Sequence, residues 1–135
     1  MKLLLDTNVI SDFVRGEVAV QARLRACSPS DVAVSSITVM EIAYGLERNP
    51  GRARKIGPLI DSILRSVTVL EYSEADARES GRVRAELEAL GRPIGLCDAM
   101  LAGSALSRDL RIVTHNTGEL ERVNGLRVED WRAAN

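Results

Sequence analysis

A chain of 135 residues with 45% hydrophobic and 27% charged residues has the composition of an ordinary globular protein, which excludes wholesale disorder. The formal net charge of -1 argues against tight non-specific binding to nucleic acid through bulk charge, although it leaves room for a local basic patch. No apolar run approaches the length of a bilayer span, so we expect no membrane contact. Cys27 and Cys97 form neither a disulfide framework nor a zinc pattern, which fits the cytoplasm. We expect a single domain over residues 1–135.

The first half of the chain is predicted to alternate short strands with helices. Leu3, Leu4 and Leu5 follow one another, and consecutive apolar residues cannot alternate between core and solvent. This pattern is typical of a central strand of a parallel sheet, buried on both faces. The elements predicted after it are helices over 7–14 and 17–26, a strand over 31–35, a helix over 37–48, a helix over 52–65 with a break at Gly57-Pro58, and a strand over 67–70.

The second half continues the same alternation. Ser73 is predicted to cap a helix that runs to Leu90, with Asp76 three residues later completing a loose capping box. The remaining predicted elements are a helix over 98–110, a strand over 111–114, and a last strand or extended tail over 126–131. Strands that alternate with helices imply parallel crossovers, so the predicted class is a layered α/β sandwich.

Three carboxylates are predicted to meet at one edge of this sheet. Asp6 directly follows the first strand, and ligands of open parallel sheets bind at the carboxyl ends of the strands. Glu41 lies within an apolar helical run that begins just after the second strand, and Asp98 stands at the head of an inward-facing helical stripe. A polar cluster over 114–119 follows the last buried strand and belongs to the same edge.

Each acid also has a simpler explanation. Asp6 or Thr7 is suited to cap the following helix, Glu41 to pair with an arginine, and Asp98 to favour a helix N-terminus. Together, however, the three carboxylates would repel one another, and no lysine or arginine adjoins them in sequence. A hard divalent cation with oxygen ligands, Mg²⁺ or Mn²⁺, would compensate their charge, and such a site supports hydrolysis of a phosphodiester.

The sequence resembles the PIN-domain ribonucleases, and specifically the VapC toxins of bacterial toxin–antitoxin pairs. The resemblance covers essentially the whole chain, in order, and its motifs are specific in combination. They are LLDTNVI at 4–10, SITVMEIAYG at 36–45, PIGLCDAMLA at 93–102, VTHN at 113–116 and GLRVEDW at 125–131.

This resemblance implies a three-layer sandwich whose mostly parallel sheet has the strand order 3-2-1-4-5 and is flanked by helices. It assigns Asp6, Glu41 and Asp98 as catalytic residues and as ligands of Mg²⁺ or Mn²⁺, and it makes Thr7 the residue that supports the first aspartate. Many relatives carry a fourth acid where this chain has Asn116. Either the carbonyl oxygen of Asn116 or the carboxylate of Glu119 would then complete the ligand set.

The resemblance also implies a reaction and partners. A metal-activated water would attack the phosphate of an RNA, such as tRNA or another structured RNA, and leave a 5′-phosphate and a 3′-hydroxyl. A homodimer and a cognate VapB-like antitoxin are implied as well, with the antitoxin covering the carboxylates. The apolar stripe of the helix over 52–65 is a candidate docking surface unless it packs on the sheet. Roles in RNA contact stay open for His115, Arg82 and Arg84.

Three other functions agree with parts of the sequence. A phosphotransferase of the haloacid-dehalogenase kind needs a second aspartate at the position of Asn8. A cysteine hydrolase built on Cys97 and His115 would lack a third catalytic group. The main alternative is a non-catalytic RNA-binding or protein-interaction module on the same fold, and Asn116 is the residue that favours it.

Overall fold

A parallel sheet of five strands forms the centre of the computed structural model, which describes residues 1–132. Its order is β3-β2-β1-β4-β5, and β1 lies in the middle, with Leu5 opposite Val34 of β2 and Val113 of β4. The strands are β1 (Leu3–Leu5), β2 (Val32–Ser35), β3 (Thr68–Leu70), β4 (Arg111–Val113) and β5 (Val128–Glu129). The predicted α/β class and strand order are therefore confirmed.

Helices cover both faces of the sheet, because successive residues of each strand point to opposite sides. Leu5 and Val34 belong to the core under one layer of helices, whereas Leu4 and Ala33 belong to the core under the other. The first layer consists of α1 (Thr7–Val14), α2 (Val18–Ala26), α3 (Ser36–Arg48) and α4 (Pro50–Ser66). The second consists of α5 (Glu74–Ala89), α6 (Leu96–Ser107) and the short α7 (Thr117–Leu120).

Helix α4 is continuous, so the predicted break at Gly57-Pro58 is wrong. Proline inside a helix removes one hydrogen bond and costs about 3 kcal/mol. Here Ile56 packs against the core before Pro58, and Ile60 and Ile63 are buried after it, so apolar burial holds the two halves in one helix. Ile60 and Ile63 of the apolar stripe therefore pack inward, as the alternative to a docking surface required, whereas Leu59 is exposed.

Close packing of α5 on α6 fixes the position of the helix that carries Asp98. A Cβ atom added at Gly103 of α6 would clash with the hydroxyl of Ser80 on α5 and would lie 2.6 Å from the backbone nitrogen of that serine. Glycine is therefore required where these helices cross. The predicted capping box is present at the start of α5, where Ser73 and Asp76 exchange side-chain-to-backbone hydrogen bonds.

The N-terminus of α6 differs from the prediction by two residues. The helix begins at Leu96, so Asp98 lies in its first turn rather than at its first position. Among the described residues, no helix combines the length and the apolar character that crossing a membrane requires.

Candidate active site at the carboxyl ends of the strands

Asp6 lies at the junction of β1 and α1, and only 5% of its surface is exposed. As the N-cap of α1 it accepts a 2.7 Å hydrogen bond at Oδ1 from the backbone nitrogen of Thr7. Its Oδ2 accepts hydrogen bonds from the Thr114 hydroxyl at 2.9 Å and from Nδ2 of Asn8 at 3.1 Å. Burial raises the pKa of Asp6 above its usual value despite these hydrogen bonds, and the negative charge of Glu41 acts in the same direction.

Glu41 projects from the second turn of α3 toward the first residue of α1. The hydroxyl of Thr7 donates a 2.6 Å hydrogen bond to Oε1 of Glu41. The resemblance had made Thr7 the support of Asp6, but its hydroxyl supports Glu41 and only its backbone N–H bonds to Asp6. Because it contacts both acids, Thr7 joins them into one cluster.

Asp98, half-buried in the first turn of α6, contacts the segment that follows β4. Nδ2 of Asn116 donates a 2.9 Å hydrogen bond to Oδ2 of Asp98 and lies 3.4 Å from Oε2 of Glu119. Burial, a hydrogen bond with Glu119 and the charges of Asp6 and Glu41 raise the pKa of Asp98 to about 7. The hydrogen bonds with Asp98 and Asn116 lower the pKa of Glu119, so in this pair the proton resides on Asp98.

Thr114 and Asn8 join these groups, and sequence reasoning gave neither of them this role. The buried Thr114 hydroxyl donates to Asp6 and accepts from Nδ2 of Asn8 at 3.1 Å and from the backbone nitrogen of Asn116 at 2.9 Å. Oδ1 of Asn8 accepts from the backbone nitrogen of His115 at 3.2 Å. The available signal was position, because both residues follow the ends of neighbouring strands, β1 and β4.

The cluster lacks a compensating cation among the described residues. Its four carboxylates form no ion pair within residues 1–132; they belong to Asp6, Glu41, Asp98 and Glu119. Two basic side chains interact electrostatically with the cluster, His115 with Asp6 and Arg122 with Glu119. An arginine partner for Glu41, the simpler explanation of that residue, is therefore not found in this part of the chain. Burial first, and then the charges of the neighbouring carboxylates, raise the pKa values of Asp6 and Asp98.

The donor set fits a hard divalent cation in its chemistry. Every candidate ligand offers oxygen, and bringing carboxylates together without a cation is unfavourable. In the rotamers of the structure, however, no three acidic, histidine or cysteine side chains within residues 1–132 lie close enough together to ligate one ion. Hydrogen bonds from Thr7 and Asn116 hold Glu41 and Asp98 in these rotamers.

The structure also gives partners for the residues whose roles the sequence left open. Nδ1 of His115 lies 3.5 Å from the buried Asp12. Arg82 bonds Glu79 and Glu86 on the exposed face of α5, and Arg84 lies 3.9 Å from Glu88. Burial, and to a lesser degree the negative charge of Glu41, raises the pKa of the Cys97 thiol. The raised pKa disfavours a thiolate nucleophile at this position.

Comparisons with known proteins agree with this fold. The PIN domain family matches residues 3–126. The chain is 40% identical over 131 residues to the tRNA(fMet)-specific endonuclease VapC of Shigella flexneri, covering 97% of this chain and 98% of that protein. It is 36% identical over 132 residues to ribonuclease VapC2 of Haemophilus influenzae, with the same coverage.

Solved structures give the same result. The crystal structure of DNA-bound VapBC from Salmonella typhimurium superposes with a TM-score of 0.89 at 36% identity, covering 97% of this chain and 98% of that one. The VapBC2 structure from Rickettsia felis, bound to a promoter DNA fragment, has a TM-score of 0.87 at 26% identity, covering 97% and 99%. The chain belongs to the PIN domain family and, within it, to the VapC ribonucleases.

Proposed function

We propose that this protein, a single PIN-like domain over residues 1–135, is a metal-dependent endoribonuclease toxin that hydrolyses phosphodiester bonds of RNA and is neutralised by a VapB-like antitoxin. The observation that carries the proposal is the cluster of Asp6, Glu41 and Asp98 at the strand ends, without an ion pair within residues 1–132. The VapC name of its relatives supports the reaction class. The Shigella relative is a tRNA(fMet)-specific endonuclease by name, so tRNA is the first substrate to test.

Asp6, Glu41 and Asp98 would hold Mg²⁺ or Mn²⁺, with Asn116 and Glu119 beside Asp98 as further oxygen donors. A bound divalent ion supplies a water of lowered pKa and stabilises negative charge on the phosphate oxygens. Thr114 and the Thr7 backbone hold Asp6 at the strand end. Glu41 and Asp98 would turn toward the ion by giving up their hydrogen bonds from the Thr7 hydroxyl and from Asn116.

Water is the attacking group in this proposal, since the chain offers no activated nucleophile near the carboxylates among its described residues. The nearest thiol, Cys97, has its pKa raised by burial and by Glu41, so it stays protonated at neutral pH. Direct attack by water on the phosphorus, with cleavage of the bond to the 3′ oxygen, which leaves and takes up a proton, gives a 5′-phosphate and a 3′-hydroxyl without a covalent enzyme intermediate. Sequencing both ends of the cleaved RNA therefore tests this part of the proposal.

The antitoxin would supply the positive charge that the cluster lacks, by placing a basic side chain against it. A complex with a VapB-like protein should therefore suppress cleavage. We also propose that the toxin is a homodimer in the cytoplasm. Light scattering of the purified chain, alone and with its antitoxin, measures both the dimer and the stoichiometry of the complex.

The decisive experiment is cleavage of total cellular RNA by the purified chain, free of antitoxin, with Mn²⁺ or Mg²⁺ and with EDTA. We expect discrete cuts that disappear with EDTA and in Asp98→Asn. Asp109→Asn is the matched control, because it makes the same chemical change at an exposed carboxylate outside the site, paired with Arg127. Folded protein that binds RNA without any metal-dependent cutting would instead establish the non-catalytic module, the alternative that Asn116 favours.

A further inference from the structure

One stretch of the surface carries positive charge without internal compensation. Arg48, Arg52, Arg54 and Lys55 lie around the junction of α3 and α4, and the sequence has no acid between Glu47 and Asp61. None of these four side chains forms an ion pair within the described residues. By contrast, nine other arginines have carboxylate partners: Arg15, Arg23, Arg78, Arg82, Arg84, Arg108, Arg111, Arg127 and Arg132. We call Arg48, Arg52, Arg54 and Lys55, which lie close together in sequence, the α3–α4 basic patch.

The basic patch is continuous with the carboxylate site. Thr7 and Glu41 of the site and Arg52 of the patch line one shared groove of about 130 Å³. Along α3, Arg48 follows Glu41 by two helical turns, which corresponds to about 10 Å. A strand whose phosphate lay at the carboxylates would therefore reach the basic patch within a few nucleotides.

An exposed aromatic ring lies between the two. Of the four aromatic side chains in the chain, Phe13 and Trp131 are buried and Tyr72 is half-buried, whereas Tyr44 is 60% exposed. Tyr44 lies one turn beyond Glu41 on α3, and the guanidinium of Arg48 stacks over its ring at 5.6 Å and donates to its hydroxyl at 3.0 Å. Exposed rings of this kind stack on the unpaired bases of RNA loops.

The charge balance of the protein makes such a surface necessary for an anionic substrate. A net charge of -1 gives no long-range attraction, and the carboxylate cluster repels phosphates. One arginine guanidinium can donate two hydrogen bonds to two oxygens of a phosphate. The positive end of the α4 dipole adds to the local positive potential. Local cations next to the site would therefore have to supply the affinity.

Resting on the proposed function, we propose that Tyr44 and the α3–α4 basic patch bind the single-stranded segment of RNA adjoining the cleaved phosphate, with one base stacked on Tyr44 and the neighbouring phosphates held by the cations. The surface thus selects RNA loops with unpaired bases over continuous duplex. The stacking contact and the charge contacts are separable by mutation.

The test uses two triple variants. The basic-patch variant combines Arg52→Gln, Arg54→Gln and Lys55→Gln. The control variant removes three positive charges from α5 by combining Arg78→Gln, Arg82→Gln and Arg84→Gln. A fluorescein-labelled unstructured RNA 20-mer measures binding at several salt concentrations without divalent metal, and bulk tRNA measures cleavage. Circular dichroism checks that both variants are folded. We expect the basic-patch variant to bind the 20-mer about 10- to 100-fold more weakly. The plot of log binding constant against log salt concentration should become less steep by about 2, and KM for bulk tRNA should rise. The α5 control should match the wild type.

Tyr44 is tested separately. Tyr44→Ala should weaken binding by about 5- to 100-fold with little change in the salt slope, whereas Tyr44→Phe keeps the ring and should bind like the wild type. Equal binding and KM for the basic-patch and α5 variants, from a wild type that cuts RNA, would overturn this inference and leave the proposed function intact. Loss of antitoxin binding with unchanged RNA binding would assign the surface to the antitoxin instead. A wild type that neither binds nor cuts RNA would overturn both proposals.

Discussion

The hydroxyl of Thr114 donates a 2.9 Å hydrogen bond to Oδ2 of Asp6, and the two residues follow neighbouring strands of the sheet. Thr114 is fully buried and Asp6 nearly so. The orientation of the Asp6 carboxylate therefore depends on the pairing of β1 with β4 as well as on the N-cap of its own helix.

Replacement of Thr114 by valine should lower both stability and activity. Valine has the same shape but removes the hydrogen bonds that the Thr114 hydroxyl makes with Asp6, with Asn8 and with the backbone nitrogen of Asn116, and such a loss in a buried place costs about 1–3 kcal/mol. We expect chemical denaturation to show a loss of this size, and RNA cleavage to fall mainly in kcat. Thr114→Ser keeps the hydroxyl and serves as the control. Equal stability of the valine and serine variants would show that the hydroxyl does not hold Asp6.

Asp98→Asn should leave the metal-free protein equally stable or make it more stable. The variant removes one of the mutually repelling carboxylates, and the carbonyl oxygen of the new amide can still accept the hydrogen bond from Asn116. Differential scanning calorimetry with EDTA measures this change, and added Mn²⁺ should stabilise the variant less than the wild type. A large drop in Tm without metal would make Asp98 a structural residue.

The backbone position of each predicted acid could be read from the sequence. The run of leucines before Asp6 identified a central strand, and polar residues at strand ends of a parallel sheet share one edge. The apolar stripe after Asp98 likewise placed that residue on an inward-facing helix. Periodicity is a local property of the chain, so it reports burial well, whereas the strand order was predicted from the family resemblance.

Long-range contacts could not be read in the same way. The Thr7–Glu41 hydrogen bond joins residues 34 positions apart, and the Thr114–Asp6 bond joins residues 108 positions apart. The continuity of α4 through Pro58 likewise depends on packing of Ile60 and Ile63 against other elements. Helix α7, four residues long, has too few turns to show an apolar period. Tertiary contacts decided each of these features.

Divalent-metal affinity should depend on pH around neutrality. The pKa of Asp98 is raised to about 7, so below that value a proton must leave Asp98 before it can bind a cation. We expect Mn²⁺ affinity, measured by calorimetry, to weaken as the pH falls from 8 to 6. Stability of the metal-free protein should change in the opposite sense. Because the folded pKa lies above the unfolded value, the ionised form of Asp98 destabilises the fold, and Tm with EDTA should rise as the pH falls through 7.

Asp98→Asn removes the group responsible for this dependence. In the variant, the rise of Tm between pH 8 and pH 6 should be smaller than in the wild type, and Mn²⁺ affinity should be low at both values. An unchanged pH profile would show that the titration belongs to a group other than Asp98.

Asp12 should stabilise the fold by binding the end of the described chain to α1. Its carboxylate is 1% exposed, accepts from Nε of Arg132 at 2.6 Å and from Arg15 at 2.7 Å, and lies near His115. Burial alone would raise the pKa of Asp12, but the hydrogen bonds from Arg132 and Arg15 outweigh it and lower that pKa. Asp12→Asn should therefore lower Tm by about 5 °C at pH 7.

The pH dependence gives this prediction its sharpest form. A carboxylate whose folded pKa is lowered stabilises the protein above its unfolded pKa, and the stabilisation is lost as the pH falls below about 4. The difference in Tm between wild type and Asp12→Asn should therefore be constant from pH 5 to 8 and shrink toward pH 3. Arg132→Gln should reproduce part of the loss, and the double variant should lose less than the sum of the two single changes. Additive losses would mean that Asp12 stabilises the fold through Arg15 and His115 rather than through Arg132.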